Sequence, residues 1–487
     1  MQIKNFSGDF SQDEKVLTEH ATDASIFKVI PKGVYFPKNV SDIVELVKGV
    51  GPGENISVRA GGTCMTGGSL TEGYIMNLTK YMNKVEIDPS AQTATVETGA
   101  YFRDIEEAAK VHGLMFAPYP SSHLIAGIGG MIGNNASGEK SLRFGATIDN
   151  VLSLEVVLLD GEVIETKPKE IETEKEKKLV ELHTRYAEQL RLAQGNVKKV
   201  ASGYRLDRIM NGDKIDLTPL FVGTQGTLGI VTKAVLKLVP IPKDTVLYII
   251  PINSIHDLPA LLKNIVAQNP ESVETFDIHT FECARIAMKE QADKIEKYVT
   301  PQTMAIVLAQ FDTPVEGVGE RVTDLAVVDA AWKIRRSSFS LVRDNHRPGE
   351  RAVPCVEDSI VPIDKFDVFV PELVKIVEKY GLRYAFHGHI GDGALRIIPT
   401  FDFNDSGVSQ KIISFTREVI ILIKSLGGNM SADHSDGIIR TPFLKEFYGD
   451  ELYGVFEEIK KIFDPSGKFN PHKKVGGTEA EIKKYIV

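Results

Sequence analysis

Two kinds of stretch in this 487-residue chain carry residue types able to do chemistry. The first is glycine-dense: "RAGGTCMTGG" (59–68), "GIGGMIGNNASG" (127–138) and "GTQGTLGI" (223–230). Glycine admits positive φ and lets backbone N–H groups approach a ligand closely, so such stretches can cradle a pyrophosphate. The second kind joins histidine to carboxylate and arginine, in "AFHGHIGDGALRI" and "GGNMSADHSDGIIRTPFL". A histidine exchanges its proton near neutral pH, and the planar fork of arginine suits a carboxylate. Taken singly, a glycine loop is more often a tight turn and a lone histidine more often a core residue. Three glycine stretches in the first half of the chain exceed what turns alone require. The register G-x-G-G-x-x-G of "GIGGMIG" misses that of the Rossmann turn, and no G-x-x-x-x-G-K-[ST] occurs, which excludes a P-loop.

The elements that must position these residues follow from periodicity. "SDIVELVKGV" has helical spacing and leads into the apolar run "ISV" and the first glycine stretch, giving helix, strand, loop. "NKVEIDPSAQTATVETGA" is two alternating runs about an Asp-Pro-Ser turn, and "FRDIEEAAKVHG" is a helix stopped by Gly113. "LSLEVVLLDGEVIET" pairs two strands across Asp160-Gly161. Each glycine stretch is read as a loop joining apolar strands. Residues 167–199 are read as an exposed helical insertion whose charge run is a solvated face. "FVGTQGTLGIVTKAVLKLVPIP" returns to strands and ends at Pro240 and Pro242, a domain boundary.

Composition sets limits. A net charge of -9 with no basic face argues against nucleic acid as a partner. Cys64, Cys283 and Cys355 are too scattered for a disulfide framework or an iron–sulfur ligand set, which fits a reducing cytosol. "MQIKNFSGDFSQDEKV" lacks a secretory pattern, and no stretch approaches about 18 uninterrupted apolar residues, so no transmembrane segment is expected.

The order of the three glycine stretches, with "FPKNVSDIVELVK" before them and the block "SSHLIAGIGGMIGNNASGEKSLRFGATIDNVLSLEVVLLDG", resembles the FAD-dependent oxidoreductases of the vanillyl-alcohol oxidase type. The second half resembles their D-2-hydroxyacid dehydrogenase branch, which holds D-lactate, glycolate and D-2-hydroxyglutarate dehydrogenases. The likeness runs from about residue 25 to 475. It implies an α+β chain with a two-subdomain FAD-binding domain (1–243, including the insertion), a substrate-binding cap domain (244–440) of antiparallel sheet with helices on one face, and a C-terminal segment (441–487) folding back on the FAD domain. His472 in that segment stands where the family usually has glycine. FAD is expected on Arg59, Gly61, Gly62, Thr63, Cys64, Gly67, Ser121, Gly130, Asn134, Asn135, Ser137, Gly138, Gly226, Gly229 and Ile230. Members that bind flavin covalently often place a histidine where this chain has Thr63, so the resemblance implies noncovalent FAD.

The same resemblance assigns His434, in "SADH", as the base for the substrate hydroxyl, and Arg335, in "AAWKIRRSSFSLVRDN", to the substrate carboxylate, with Arg336 as its solvated neighbour. Metal-containing members use a pattern like G-H-x-G-D-G-N-x-H plus a glutamate before the base. Here His389 keeps the first ligand position, Arg396 stands at the second, and the glutamate is shortened to Asp433. Arginine is not a metal ligand. Two readings of Arg396 stay open: its guanidinium replaces the metal's charge, pairing Asp433 and holding the substrate, or it only salt-bridges a core carboxylate. Phe339 and Val356 replace residues that serve the distal carboxylate in the 2-hydroxyglutarate enzymes, which favours a less charged substrate side chain. Glu357 and Asp358 are read as hydrogen-bonding residues of the cap.

The function implied is oxidation of a D-2-hydroxyacid, D-lactate-like, to the 2-oxoacid, with electrons leaving to a separate quinone, electron-transfer flavoprotein or cytochrome. The alternatives are a flavoenzyme for a sugar alcohol, an aldonolactone or an alkyl-glycerone-phosphate exchange, and a catalytically altered electron-relay subunit. The expected location is the cytoplasm, with attachment at the inner membrane face as a variant.

Overall fold

The computed structural model describes residue 3 and residues 5–487; residues 1, 2 and 4 of the N-terminal stretch read above lie outside the described residues. Three sheets organise it. A four-stranded sheet runs in the order Asp9–Ser11, Gly33–Phe36, Tyr74–Asn77, Ile56–Arg59, and its last three strands are parallel. Parallel neighbours need a crossover, and the helix Val40–Gly49 supplies one, capped by the Asn39 side chain and burying Ile43, Leu46 and Val47.

The second sheet has five antiparallel strands in the order Val85–Asp88, Thr93–Glu97, Ile230–Lys237, Val151–Val157, Val163–Glu165. Its central strand alternates, burying Ile230, Thr232, Ala234 and Leu236. Both hairpins expected from the sequence are present, and Gly161 takes φ +82° in the turn of the second.

The third sheet has seven antiparallel strands, in the order Glu320–Val322, Val246–Ile252, Ala305–Phe311, Ser272–Asp277, Arg383–Gly388, Arg396–Asp402, Glu350–Ala352. The expectation of helices on one face is corrected here. Ile306 and Leu308 pack with Phe281 and Trp332 on one side, while Ala305, Val307 and Ala309 join the cluster of Leu258, Leu262 and Phe366 on the other. A strand covered on both faces reads as a continuous apolar run, and "AIVLAQF" does.

Two further readings are corrected. The stretch at 127–138 is not a loop between strands; it is a short helix, Ile128–Asn134, entered from Gly127 and ended by Asn135 in the left-handed conformation. The insertion does carry a solvated helix, Glu174–Ala193, with a Thr173/Glu176 capping box. Its exit segment, however, turns inward and buries Lys199.

The last helices, Leu444–Phe463 and Glu479–Tyr485, return the chain to its beginning: Phe469 bridges Ile56 and Ile486 bridges Phe27. His472 adopts φ +64°, the conformation that a glycine there takes without strain.

Candidate active site

The glycine stretches meet around one cavity lined by Arg59, Gly61, Gly62, Thr63, Cys64, Gly129, Gly130, Gly133, Asn134, Gln225, Gly226 and Gly229, among others. Its walls are largely bare backbone. At Gly61 this is obligatory, because a Cβ would lie 2.0 Å from the Ile125 carbonyl oxygen. Gln225, in the left-handed region at φ +54°, ties the stretches together: its Nε2 donates to Asn134 Oδ1 (3.0 Å) and its Oε1 accepts from Gly437 N (2.9 Å). Asn470 closes the floor, donating from Nδ2 to both Gly68 O and Gln225 O (2.7 Å each).

Of the residues expected to hold FAD, Arg59, Gly61, Gly62, Thr63, Cys64, Gly130, Asn134, Gly226 and Gly229 line this cavity, and Ser121 and Ser137 line the one adjoining it. The others have different surroundings. Gly67 packs against Phe27 and Ile438, and Gly138 lies under the Tyr119 carbonyl. Asn135 is buried, donating to Val200 O and accepting from Ile148 N. Ile230 is buried in the core and paired with Val157. On the adjoining cavity, the Ser137 hydroxyl donates to Asp433 Oδ2 (2.5 Å). Gln225, Thr224 and Gly133 were missed; their signal was adjacency to the chosen glycines.

A second cavity of about 600 Å³ opens beside the first, and Arg59, Gly62, Thr63, Gly130 and Asn134 line both. On its far wall stand Arg335, Phe339, Glu357, His387, His389, Arg396, Asp433 and His434. His389, Arg396 and the Asp433–His434 pair, separated in sequence, are thus brought together. His387 and Arg396 pair across adjacent strands of the seven-stranded sheet, and Asp433 and His434 arrive on the loop after the helix Val408–Ser425. Ser435, at φ +61°, fixes that loop through donations to Ala201 O and Gly223 O.

The hydrogen bonds assign the His434 tautomer. Arg396 Nη1 lies 2.9 Å from Nε2, and a guanidinium only donates, so Nε2 carries a lone pair. Nδ1 therefore carries the proton and donates it to Glu357 Oε1 (2.8 Å). Burial works against an ionised Glu357, but Arg440 and His434 outweigh it and hold its pKa down at about 2. Asp358 accepts the backbone N–H groups of Asp433 and His434 (2.8–3.1 Å). Glu357 and Asp358 thus orient the site from behind.

Asp433 is charged from two sides. Burial opposes its ionisation, yet Arg396 Nη2 (2.5 Å from Oδ1) and Lys199 Nζ (3.5 Å from Oδ2) hold its pKa well below the carboxylate range. Glu274, buried beside two residues of the same wall, accepts from His389 through Oε1 (2.7 Å) and pairs Arg335 through Oε2 (2.5 Å). Burial pushes Glu274 up to about 8 despite Arg335. Arg336 is not the solvated neighbour expected: it grips Glu139 with two hydrogen bonds (2.7 and 2.9 Å), and Glu139 also accepts from Tyr119. Val356 is buried in the core.

A divalent metal does not fit the ligand positions of the related pattern. Asp358, Asp433 and His434 offer donors within 4.8 Å of one another. Arg396 already donates to Asp433 Oδ1 and to His434 Nε2, so a cation bound by those atoms would sit against a guanidinium.

Two family descriptions match: "FAD binding domain" over residues 31–167 and "FAD linked oxidases, C-terminal domain" over residues 241–474. The chain belongs to the FAD-linked oxidases. The cofactor of this FAD-linked oxidase is FAD, and the first cavity suits it: beyond the bare backbone, the buried Nη1 of Arg59 has no partner among the described residues. The chain is similar to the D-2-hydroxyglutarate dehydrogenase of Pseudomonas putida, 29% identical over 518 residues, covering 97% of this chain and 51% of that protein. It is also similar to the D-lactate dehydrogenase of Archaeoglobus fulgidus, 28% identical over 427 residues and covering 86% of each. It spans about half the length of the D-2-hydroxyglutarate dehydrogenases it matches. Among solved structures, 4-ethylphenol oxidase from Gulosibacter chungangensis has the same fold, with TM-score 0.69, 18% identity, and coverage of 97% of this chain and 95% of that one. None of the described helices is long and apolar enough to cross a membrane.

Proposed function

We propose that this FAD-linked oxidase converts a D-2-hydroxyacid to the 2-oxoacid, with His434 as the base. The observation that carries the reading is the His434 tautomer: an Nε2 lone pair in the wall of a cavity continuous with the glycine-lined one. Bound FAD supplies the hydride acceptor. Arg335 and Arg396 hold the substrate carboxylate; the Nε of each is buried without a partner among the described residues, and an anion satisfies that demand. As the carboxylate draws Arg396 toward it, His434 Nε2 becomes free to accept the hydroxyl proton. Glu357 stabilises the resulting imidazolium through Nδ1. Phe339 faces the cavity where a polar group would serve a distal carboxylate, which supports a short, uncharged substrate side chain. Thr63 offers no imidazole for a covalent flavin link, so FAD is held noncovalently and electrons leave to a separate acceptor.

Neither the sugar-alcohol and lactone readings nor the relay reading draws on a specific contact. The test is to add D-lactate, glycolate, D-2-hydroxyglutarate and the L-enantiomers one at a time, without oxygen, to protein carrying FAD. Stereoselective bleaching of the flavin by a D-acid is expected, and a flavin that no hydroxyacid reduces would overturn the assignment.

A further inference from the structure

We propose that this site dispenses with a divalent metal because the chain itself supplies two cations in its place, Arg396 and Lys199. Lys199 comes from the exit segment of the helical insertion, far in sequence from the histidine motifs. Its side chain is 1% exposed, and its ammonium has four partners: Ser137 Oγ (3.0 Å), Ser141 Oγ (3.0 Å), Asp392 Oδ2 (3.1 Å) and Asp433 Oδ2 (3.5 Å). Arg396 takes the other oxygen of Asp433 at 2.5 Å and His434 Nε2 at 2.9 Å. The carboxylate that would bind a metal is therefore saturated from both sides, one cation per oxygen. His389, the remaining ligand of the pattern, spends Nδ1 on Glu274 and offers only Nε2 to the cavity, one ligand where a stable site needs several.

The division of labour differs between the two cations. Arg396 lines the cavity and can leave Asp433 for an incoming anion. Lys199 lies behind, outside the cavity wall, and keeps Asp433 neutralised when Arg396 moves. A buried carboxylate stripped of its only counter-charge is strongly unfavourable, so a mobile Arg396 requires a fixed second cation. Lys199 fills that requirement and gives the charged insertion a role at the site. The inference holds whichever hydroxyacid is the substrate.

The test counts metal rather than activity. Full-length protein carrying FAD is stripped with EDTA, equilibrated with zinc or manganese, and assayed for bound metal per flavin by mass spectrometry. Unmodified protein is expected to hold only substoichiometric metal. Arg396→His is expected to gain weak zinc binding, and Lys199→Met combined with Arg396→His to bind zinc about tenfold more tightly than Arg396→His alone. Stoichiometric metal in the unmodified protein overturns the proposal without recourse to any variant. Equal zinc affinity of the single and double variants, each with a bound flavin and the circular dichroism of the folded protein, overturns the part played by Lys199.

Discussion

Replacing Glu357 by glutamine removes one charge from the Glu357–His434–Arg440 triad, two of whose members are fully buried, without changing its shape. Glu357 Oε1 accepts from His434 Nδ1 and from Arg440 Nη2, both at 2.8 Å, and the Glu357 and Arg440 side chains are each 1% exposed. The carboxyl is held at about 2 against an ordinary value of 4.5, a difference of about 2.5 units or roughly 3 kcal/mol at about 1.4 kcal/mol per unit. Mutational experience with buried pairs gives about 3–5 kcal/mol for losing one partner, the same order. Because the folded pKa is depressed, this stability is fully present above pH 4.5 and disappears as pH falls through about 2. At pH 7 the variant should therefore release its flavin at a clearly lower urea concentration. Chemistry suffers separately. The glutamine keeps its amide oxygen on Arg440 and His434 Nδ1, since Arg440 only donates, but it no longer carries the charge that stabilises the imidazolium formed when Nε2 takes the proton; positioned proton transfer contributes about 10²–10⁴-fold. Anaerobic stopped-flow reduction at saturating hydroxyacid should slow by about a hundredfold or more, with the half-saturating concentration little changed because both carboxylate-binding arginines remain. A limiting rate within about threefold of the unmodified protein would show that no imidazolium forms beside Glu357 in the rate-limiting step, and the assignment of His434 as base would fall with it.

Arg335→Lys keeps the charge and loses the fork, so the half-saturating substrate concentration should rise by about tenfold or more while the limiting rate changes little; no rise would leave Arg335 as the partner of Glu274 alone. Gly61→Ala puts a methyl 2.0 Å from the Ile125 carbonyl oxygen and should yield protein that purifies without flavin, read from its visible spectrum. Lys473 is buried, has only long contacts among the described residues, to Leu70 O (3.3 Å) and Pro471 O (3.5 Å), and burial pulls it from 10.5 down to about 8. Its charge therefore lowers stability below pH 8, and the penalty fades as pH rises to 10.5, where both states are neutral. Lys473→Met should raise the melting temperature at pH 7, with a gain that vanishes above pH 10.5; a loss at pH 7 would contradict this.

What could be seen in the sequence was local. The hairpins, the first crossover helix and the "SADH" pairing of carboxylate and histidine each occupy a few consecutive residues, where local chemistry can be read directly. The helix Ile128–Asn134 was hidden because each glycine costs a helix about 1 kcal/mol relative to alanine. Packing overrides that cost, since a Cβ at Gly129 would come within 2.7 Å of the Thr98 carbonyl oxygen. Lys199 was hidden by its neighbours: a lysine ending a charge run looks solvated, and only the inward turn of the exit segment buries it. Glu274 left a trace, as a carboxylate within the strand Ser272–Asp277, every residue of which is buried. Its partners, His389 and Arg335, lie more than fifty residues away, and no spacing rule connects them.

The contact made by Asn470 also fixes when the protein can be finished. Its amide joins Gly68 to Gln225, and the first of these precedes it by 402 residues. At about 5–20 residues per second, a ribosome needs roughly 20–80 s to cover that interval. Throughout it the first glycine stretch is exposed to the cell while the piece that closes its cavity has not been made. Closure of the flavin cavity therefore waits for residue 470 to be made, and until then FAD meets an open glycine stretch.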